Sequence, residues 1–314
     1  MLEVENLHVE YVQNGVSVPA LRGVSLRVEA GRSVAIVGES GSGKSTLALA
    51  VLGSIKPPVG RITGGEITVG DVELVSAQPR TLRSVLHHQI GFIPQDPSTA
   101  LDPLFTVRSQ IAEVLRGRAT SEIDSTAVEL LTSLGVANAE HRLRSYPHEF
   151  SGGMKQRVAM AIALAKNPGL LIADEPTTAL DVTTQLGILR TLDRLRVEQN
   201  LSTLFITHDL RVARLLCQEV IVMYAGEVVE SGPIDQVMHG PRHPYTRALL
   251  DALGTDVQPR TRLKTIAGQP PALSALPPGC SFAPRCPIAE ARCDELPPVV
   301  GGGERMVACW KAAG

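Results

Sequence analysis

The sequence lacks the features that mark several large classes of protein. Its 30 lysines and arginines face 32 aspartates and glutamates, and the net charge of -2 argues against a nucleic-acid partner. The longest uninterrupted apolar run, 158–165, has eight residues, whereas spanning a bilayer takes about 20. The start, MLEVENLHVEY, has no apolar segment typical of a secretory signal. We therefore expect a chain that stays in the cytosol and is able to dock on a membrane protein.

Cysteine is also scarce, and its distribution is uneven. Five cysteines in 314 residues are too few for a disulfide scaffold of this size. Cys217 lies in RVARLLCQEV and is predicted to be a small buried core residue. The other four follow a C-x5-C-x6-C-x15-C spacing, at Cys280, Cys286, Cys293 and Cys309. Four thiolates can hold Zn²⁺ or a [4Fe–4S] cluster, and the spacing alone does not choose between these metals and free thiols.

Residues 1 to about 235 alternate short apolar runs with helical patterns. The runs predicted to be buried parallel strands are SVAIV, GLLIAD and STLFIT, at 33–37, 169–174 and 202–207. A helical pattern follows each of them, beginning near Lys44, Thr183 and Leu210. This alternation predicts an α/β fold with a parallel core sheet. A length of 314 residues is typical of about two domains.

Other segments add to this core. Strands predicted near 2–11, 21–28 and 66–69 indicate an antiparallel β subdomain, and 106–166 is predicted to be a helical subdomain interrupted at Tyr146-Pro147. Prolines crowd 268–287 and exclude a regular helix through most of it. We therefore predict one domain over 1–235 and a small C-terminal module over 236–314, which has too little apolar mass for a large core and which a metal site would stabilise.

A glycine-rich loop follows the first core strand. Its sequence, GESGSGKST at 38–46, fits G-x-x-x-x-G-K-[ST], in which backbone N–H groups and the next helix N-terminus cradle phosphates. We call 38–46 the P-loop. Lys44 is predicted to reach the β- and γ-phosphates and Ser45 to bind Mg²⁺. The other predicted nucleotide contacts in this loop are Gly38, Ser40, Gly41, Ser42, Gly43 and Thr46.

Two further motifs contain residues suited to bind Mg²⁺, to activate water or to bind an anion. LLIADEP ends a predicted strand with Asp174, suited to hold Mg²⁺, and Glu175, suited to activate the attacking water. FSGGMKQR opens a predicted helix, where Ser151, Gly152 and Gly153 form a second anion site. A chain whose P-loop already holds the phosphates has no need of this second site.

In this order the motifs resemble the ATP-binding-cassette (ABC) family, with the P-loop as Walker A, LLIADEP as Walker B and SGG as the signature. The resemblance covers 1 to about 235 and implies ATP hydrolysis. It implies roles for Gln95 as the Q-loop residue and a Mg²⁺ contact, Asp181 as the D-loop, His208 as the switch histidine and Tyr11 as the residue stacking on adenine. The implied catalytic residues are Glu175, His208, Gln95 and Lys44.

The resemblance also implies partners. In this family two cassettes pair head to tail, so that the P-loop of one and the signature of the other enclose each ATP. With one of each motif, this chain needs a second cassette from another molecule. The Q-loop region and the helices after Thr106 are then expected to pass the motion to a pair of membrane permeases, which places the chain peripherally on the cytoplasmic face of the membrane.

The C-terminal segment resembles one group of ATPases within this family. PRHPYTRALL at 241–250 and GQPPALSALPPGCSFAPRCPIAEARC at 268–293 resemble the tails of oligopeptide, dipeptide and nickel importer ATPases. Met154 in the signature is similar to the D-type subunit of peptide importers, which pairs with an F-type ATPase, two permeases and an external peptide-binding protein. Because such ATPases can resemble iron–sulfur proteins, a [4Fe–4S] cluster on the four cysteines is preferred to Zn²⁺ or free thiols. Import of nickel or a metal chelate stays open, and a soluble cluster-assembly ATPase is disfavoured by the HPYT motif.

Overall fold

The computed structural model describes residues 1–13, 15–177, 182–253, 265–302 and 305–312. The strands, in chain order, are β1 Leu2–Gln13, β2 Val16–Val28, β3 Ser33–Val37, β4 Gly60–Val69, β5 Val72–Glu73, β6 Ile90–Ile93, β7 Leu170–Asp174, β8 Ser202–Thr207, β9 Glu219–Tyr224, β10 Glu227–Pro233, β11 Val299–Gly302 and β12 Arg305–Ala308. The α-helices are α1 Lys44–Val51, α2 Pro79–His88, α3 Pro97–Ala100, α4 Val107–Val114, α5 Thr120–Ser133, α6 Ala139–Arg142, α7 Gly152–Leu164, α8 Val182–Glu198, α9 Leu210–Leu216, α10 Ile234–His239 and α11 Pro244–Leu253.

The chain divides into two compact units, each built from several segments. The first unit contains residues 1, 28–32 and 77–205, and the second contains 2–27, 33–76 and 206–314. No helix in the described ranges is long and apolar enough to cross a membrane.

The first unit is built on short strands, in the order β8-β7-β6. β6 and β7 pair in parallel from Ile90 opposite Leu170 to Ile93 opposite Ala173. Every residue of β7 and β8 is buried, as expected for strands covered on both faces. The predicted strands at 169–174 and 202–207 are thus confirmed, whereas β6 was not predicted because its four residues include a glycine and precede Pro94.

The helical part of the first unit agrees with the prediction for 106–166. Thr106 caps α4 by accepting a hydrogen bond from the Ser109 amide, and α5 buries Ile123, Ala127, Leu130 and Leu131 along one face. At the predicted break a 3-10 turn, Pro147–Glu149, separates α6 from α7.

The second unit contains the predicted antiparallel layer, with strand order β2-β1-β4-β5. β1 and β4 pair from Leu2 opposite Val69 to Tyr11 opposite Gly60. Along the start of β1, buried apolar residues alternate with exposed glutamates, the pattern of a strand with one face on the core. β2 and β4 are longer than predicted, because they begin at Val16 and Gly60.

A second sheet of this unit connects the P-loop strand to the C-terminal segment. β3 and β9 pair in parallel, from Val34 opposite Glu219 to Val37 opposite Val222. The sheet continues through β10, β12 and β11 in antiparallel pairs, and Glu230 lies opposite Val307. The domain boundary predicted near 235 stays a prediction, although backbone hydrogen bonds join segments on both sides of it. The described residues between α11 and β11 form only one-turn 3-10 helices.

Candidate nucleotide site

The P-loop lies in the second unit, between β3 and α1. Gly38 has φ 158°, and a Cβ there would lie 2.3 Å from the carbonyl oxygen of Met223. Gly43 has φ 102°, and a Cβ there would lie 2.9 Å from the carbonyl oxygen of Ala20. A larger residue at either position would collide with the backbone, so both turns of this loop require glycine.

Inside the P-loop lies the ammonium group of Lys44. This side chain is buried, and its Nζ donates hydrogen bonds to the carbonyl oxygens of Gly38 and Glu39, both at 2.8 Å. Ser40 and Ser45 are exposed, and no side chain caps the first turn of α1. The loop therefore offers the fixed ammonium group of Lys44 and, at the start of α1, backbone N–H groups that no side chain caps, both of which suit phosphate binding.

The first unit brings Gln95 and Glu175 together. Parallel pairing places Ile93 beside Ala173, and the residues two positions further on are Gln95 and Glu175. Gln95 Nε2 donates a hydrogen bond to Glu175 Oε2 at 3.2 Å. These two side chains, predicted separately from the sequence, therefore meet at the same strand edge.

Walker B ends in an unusual backbone turn. Asp174 is the last residue of β7 and is buried, and Glu175 follows with a φ of 45°. A non-glycine residue in this left-handed region costs about 1–3 kcal/mol, and such strain is concentrated at functional sites. The two acids thus differ in environment, one inside the unit and one at its edge.

The signature opens α7 in the first unit. Ser151 is the N-cap, and its Oγ accepts a hydrogen bond from the Met154 amide at 3.4 Å. Ser151 and Gly152 are exposed, Gly153 is half-buried, and the first turn of α7 contains no acidic residue. The exposed helix N-terminus is therefore electrostatically suited to an anion.

The remaining predicted residues lie at separate places. His208 is exposed directly after β8, and Asp209 caps α9 by accepting the Arg211 amide at 2.8 Å. Tyr11 lies in β1 of the second unit, opposite Gly60, where an added Cβ would lie 2.8 Å from the Tyr11 ring. Asp181 lies outside the described residues.

The four C-terminal cysteines lie near one another in the second unit. Cys280, Cys286, Cys293 and Cys309 are half-buried and line one small cavity in the second unit. Among the described residues, however, no three Cys, His, Asp or Glu side chains converge as a group that could hold a metal ion. Burial also raises the pKa of the Cys280 and Cys286 thiols, which favours the protonated form. The cluster expected on these four cysteines therefore stays a prediction.

Cys217 is buried, as predicted for a core residue. Sequence reasoning missed Glu39, although it lies inside the P-loop. Its contacts come from Tyr245 and Arg285, more than 200 residues further along the chain, and no local pattern indicates them. The HPYT motif and the PRC sequence around Arg285 were the available signals.

Family models match two regions of the chain. One described as "ABC transporter" matches residues 21–178, and one described as "Oligopeptide/dipeptide transporter, C-terminal region" matches 229–293. Two solved cassettes share the fold. The structure of MJ0796 bound to ADP and Pi has a TM-score of 0.67 and 30% identity, covering 74% of this chain and 99% of that one. The structure of cbiO1 from Clostridium perfringens has a TM-score of 0.65 and 28% identity, covering 76% and 90%.

The chain therefore belongs to the ABC transporter family, and it is an ATP-hydrolysing subunit of that class. Among its relatives are two oligopeptide transport ATP-binding proteins. AppD of Bacillus subtilis is 43% identical over 93% of this chain and 90% of its own length. OppD of Salmonella typhimurium is 42% identical over 99% of this chain and 93% of its own length.

The Gln95–Glu175 geometry leads to a first prediction. Glu175→Gln keeps an oxygen that can accept the Gln95 hydrogen bond but cannot take a proton from water. We expect phosphate release, measured with a partner cassette present, to fall by about 100-fold or more. ATP-driven pairing, followed by size-exclusion chromatography, is expected to persist.

The matched control is Glu198→Gln, which neutralises a carboxylate of α8 whose side chain is 55% exposed. This variant is expected to keep wild-type turnover. Wild-type turnover in Glu175→Gln would remove Glu175 from the role of general base.

Proposed function

We propose that this chain is the ATP-hydrolysing subunit of an importer that takes up di- and oligopeptides. The observation that carries the proposal is the second family match, because the model that matches the tail is described as the C-terminal region of oligopeptide/dipeptide transporters. Relatives named as oligopeptide transport proteins cover more than nine-tenths of the chain and support the same cargo. Import of nickel or a metal chelate is the alternative.

We propose the following division of roles at the ATP site. Tyr11 stacks on adenine, and the P-loop binds the phosphates through its backbone and Lys44. Ser45, Gln95 and Asp174 would hold Mg²⁺ through their oxygen atoms, which are the ligands that this ion prefers. Glu175 activates water, aided by His208. Bound Mg²⁺ supplies neutralisation of charge on the transferring phosphate.

We propose that the signature serves the ATP of a second cassette, with Asp181 contributing at the same interface. Support comes from the exposed N-terminus of α7, a phosphate-binding feature distinct from the P-loop. The solved cassette MJ0796 is described as dimeric with bound ADP and Pi. The resemblance of Met154 to D-type subunits favours a different, F-type chain as the partner.

A hydrogen-bonded loop with exposed apolar side chains supports docking on a permease. Gln110 of α4 anchors the loop 102–105 with three hydrogen bonds, accepting from the Asp102 amide and donating to the carbonyl oxygens of Asp102 and Phe105, at 2.9–3.0 Å. The loop nevertheless exposes Leu104 (78%) and Phe105 (54%) to solvent. A fixed loop that holds apolar side chains in water is typical of an interaction site.

We name the surface around Leu104, Phe105, Val114 and Ile162 the docking surface. Phe105, Val114 and Ile162 line a groove of about 560 Å³. Gln95 lies two residues before α3, so a short chain segment connects the candidate catalytic residue to the docking loop. We propose that a cytoplasmic helix of the permease occupies this groove and holds the chain peripherally at the membrane.

The docking surface yields a second prediction. Phe105→Asp places a charge where an apolar helix would pack, and we expect co-purification with the permeases to fall at least about tenfold. Val197→Asp is the control, because Val197 of α8 is 63% exposed in the same unit and lies outside the groove. Equal losses in the two variants, or no loss in Phe105→Asp, would overturn this docking site.

Uptake measurements test the cargo. A strain lacking this chain is expected to lose uptake of a labelled tripeptide and to keep uptake of labelled Ni²⁺. Wild-type chain should restore peptide uptake, and Glu175→Gln should not. Loss of Ni²⁺ uptake with intact peptide uptake would replace the peptide assignment with nickel.

We keep metal binding by the four cysteines as a proposal, with [4Fe–4S] preferred to Zn²⁺. It is supported by the common cavity that residues from 280 to 309 line, and it requires the thiols to move closer together. After anaerobic purification we expect about four iron and four sulfide per chain and an absorption band at about 400 nm.

Cys280→Ser with Cys286→Ser should abolish metal content, whereas Cys217→Ser, which removes the buried thiol outside the cavity, should preserve it. One zinc per chain would assign Zn²⁺ instead of the cluster. Metal-free protein after anaerobic purification would overturn the proposal.

A further inference from the structure

A buried arginine near the C-terminal cysteines contacts the P-loop. The Arg285 side chain is only 3% exposed and forms a two-pronged ion pair with the Glu39 carboxylate, with N–O distances of 2.7 and 3.1 Å. Its Nε donates to the carbonyl oxygen of Ala267 at 2.8 Å, and the Tyr224 hydroxyl lies 3.2 Å from Nη1. The guanidinium is therefore fixed on both sides, and planar pairing of this kind is directional as well as strong.

The HPYT motif contacts the same P-loop residue. The hydroxyl of Tyr245, which is fully buried, accepts a hydrogen bond from the Glu39 amide at 2.7 Å. The Tyr245 amide in turn donates to His243 Nδ1 at 3.1 Å. Burial lowers the pKa of His243 to about 4, so the imidazole is neutral at pH 7, and the nitrogen that faces the Tyr245 amide is its acceptor. His243 and Tyr245 thus form a chain of hydrogen bonds that ends at the P-loop backbone.

Three polar groups of Glu39 are therefore held at once. Tyr245 holds its amide, Arg285 holds its carboxylate, and Lys44 Nζ donates to its carbonyl oxygen at 2.8 Å. Because that carbonyl is one of the backbone oxygens that hold the Lys44 ammonium, the position of Glu39 influences where this positive charge lies. Residues of the C-terminal segment thereby act on the proposed phosphate-binding lysine.

Charge adds to this effect. The Glu39 carboxylate lies in the loop proposed to bind the anionic phosphates, and its side chain is only 27% exposed. Removing Arg285 would leave this partly buried negative charge uncompensated, which both displaces the loop and repels phosphate.

We infer that Arg285 and Tyr245 are positioning residues that fix the P-loop through Glu39, so that the C-terminal segment sets the nucleotide affinity of the chain. This inference rests on the proposed nucleotide site. It assigns a task to the HPYT motif and to the arginine between the first two clustered cysteines.

Calorimetric titration of the full chain with Mg²⁺-ADP tests the inference without turnover. Arg285→Ala is expected to raise the Kd about tenfold, within the usual range of coupling between sites. Arg285→Lys should raise the Kd about threefold, because an ammonium group keeps the positive charge but cannot donate two parallel hydrogen bonds to the carboxylate. Adding Glu39→Gln to Arg285→Ala should recover most of the affinity, since it removes the uncompensated carboxylate, a recovery that general loosening of the fold would not give.

The matched control is Arg214→Gln. Arg214 of α9 forms an arginine–carboxylate ion pair with Asp235 of α10 at 2.8 Å in the same unit. Among the described contacts, neither residue bonds to Glu39 or to the residues that hold it. This control should therefore keep the wild-type Kd. A Kd of folded Arg285→Ala within twofold of wild type, or equal weakening in Arg214→Gln, would overturn the inference.

Two further variants keep the test decisive. If Arg285→Ala does not fold, Tyr245→Phe removes only the hydroxyl that accepts the Glu39 amide, and an unchanged Kd there would equally overturn the inference. Lys44→Ala tests the site itself, because it should abolish measurable binding. Wild-type affinity in Lys44→Ala would refute the proposed nucleotide site. If Lys44→Ala weakens nucleotide binding and Arg285→Ala does not, only the positioning role of Arg285 is refuted.

Discussion

Burial of short parallel strands on both faces is the constraint from which the functional residues take their positions. β3 and β7 are buried along their whole length, so each needs an uninterrupted apolar run and must end where the chain turns polar. β3 ends at the glycine that opens the P-loop, and β7 ends in Asp174. In the first unit, parallel pairing of β6 with β7 then brings Gln95 to Glu175. The packing of the strands thus positions the candidate functional residues at the strand ends.

The P-loop conformation also depends on partners for the charged groups that are buried in the second unit. The P-loop contains a buried ammonium and a partly buried carboxylate within six residues, and neither is tolerated without hydrogen-bonded counterparts. Backbone carbonyls serve Lys44, and the guanidinium of Arg285 serves Glu39. The conformation of a nine-residue loop therefore depends on a residue 246 positions away in the chain.

Two surfaces of the first unit have features that a chain acting alone does not need. One is the exposed N-terminus of α7, and the other is the docking surface around Leu104 and Phe105. Exposed apolar side chains on a loop fixed by hydrogen bonds are costly in water unless another molecule covers them. Both features agree with membership of a transporter family whose ATPases work in assemblies.

The sequence by itself determined the fold class, the family and the identity of the candidate ATP-site residues, because a buried strand and a phosphate loop are local patterns of apolar residues and glycines. β6 was not predicted from the sequence, because a strand of four residues that includes a glycine is too short to show a clear hydrophobic pattern. The spacing of the cysteines likewise did not reveal whether their thiols converge. Only the tertiary structure decided the Gln95–Glu175 contact, the arrangement of the four thiols and the Arg285–Glu39 pair, because each joins residues whose separation in sequence says nothing about their distance in space.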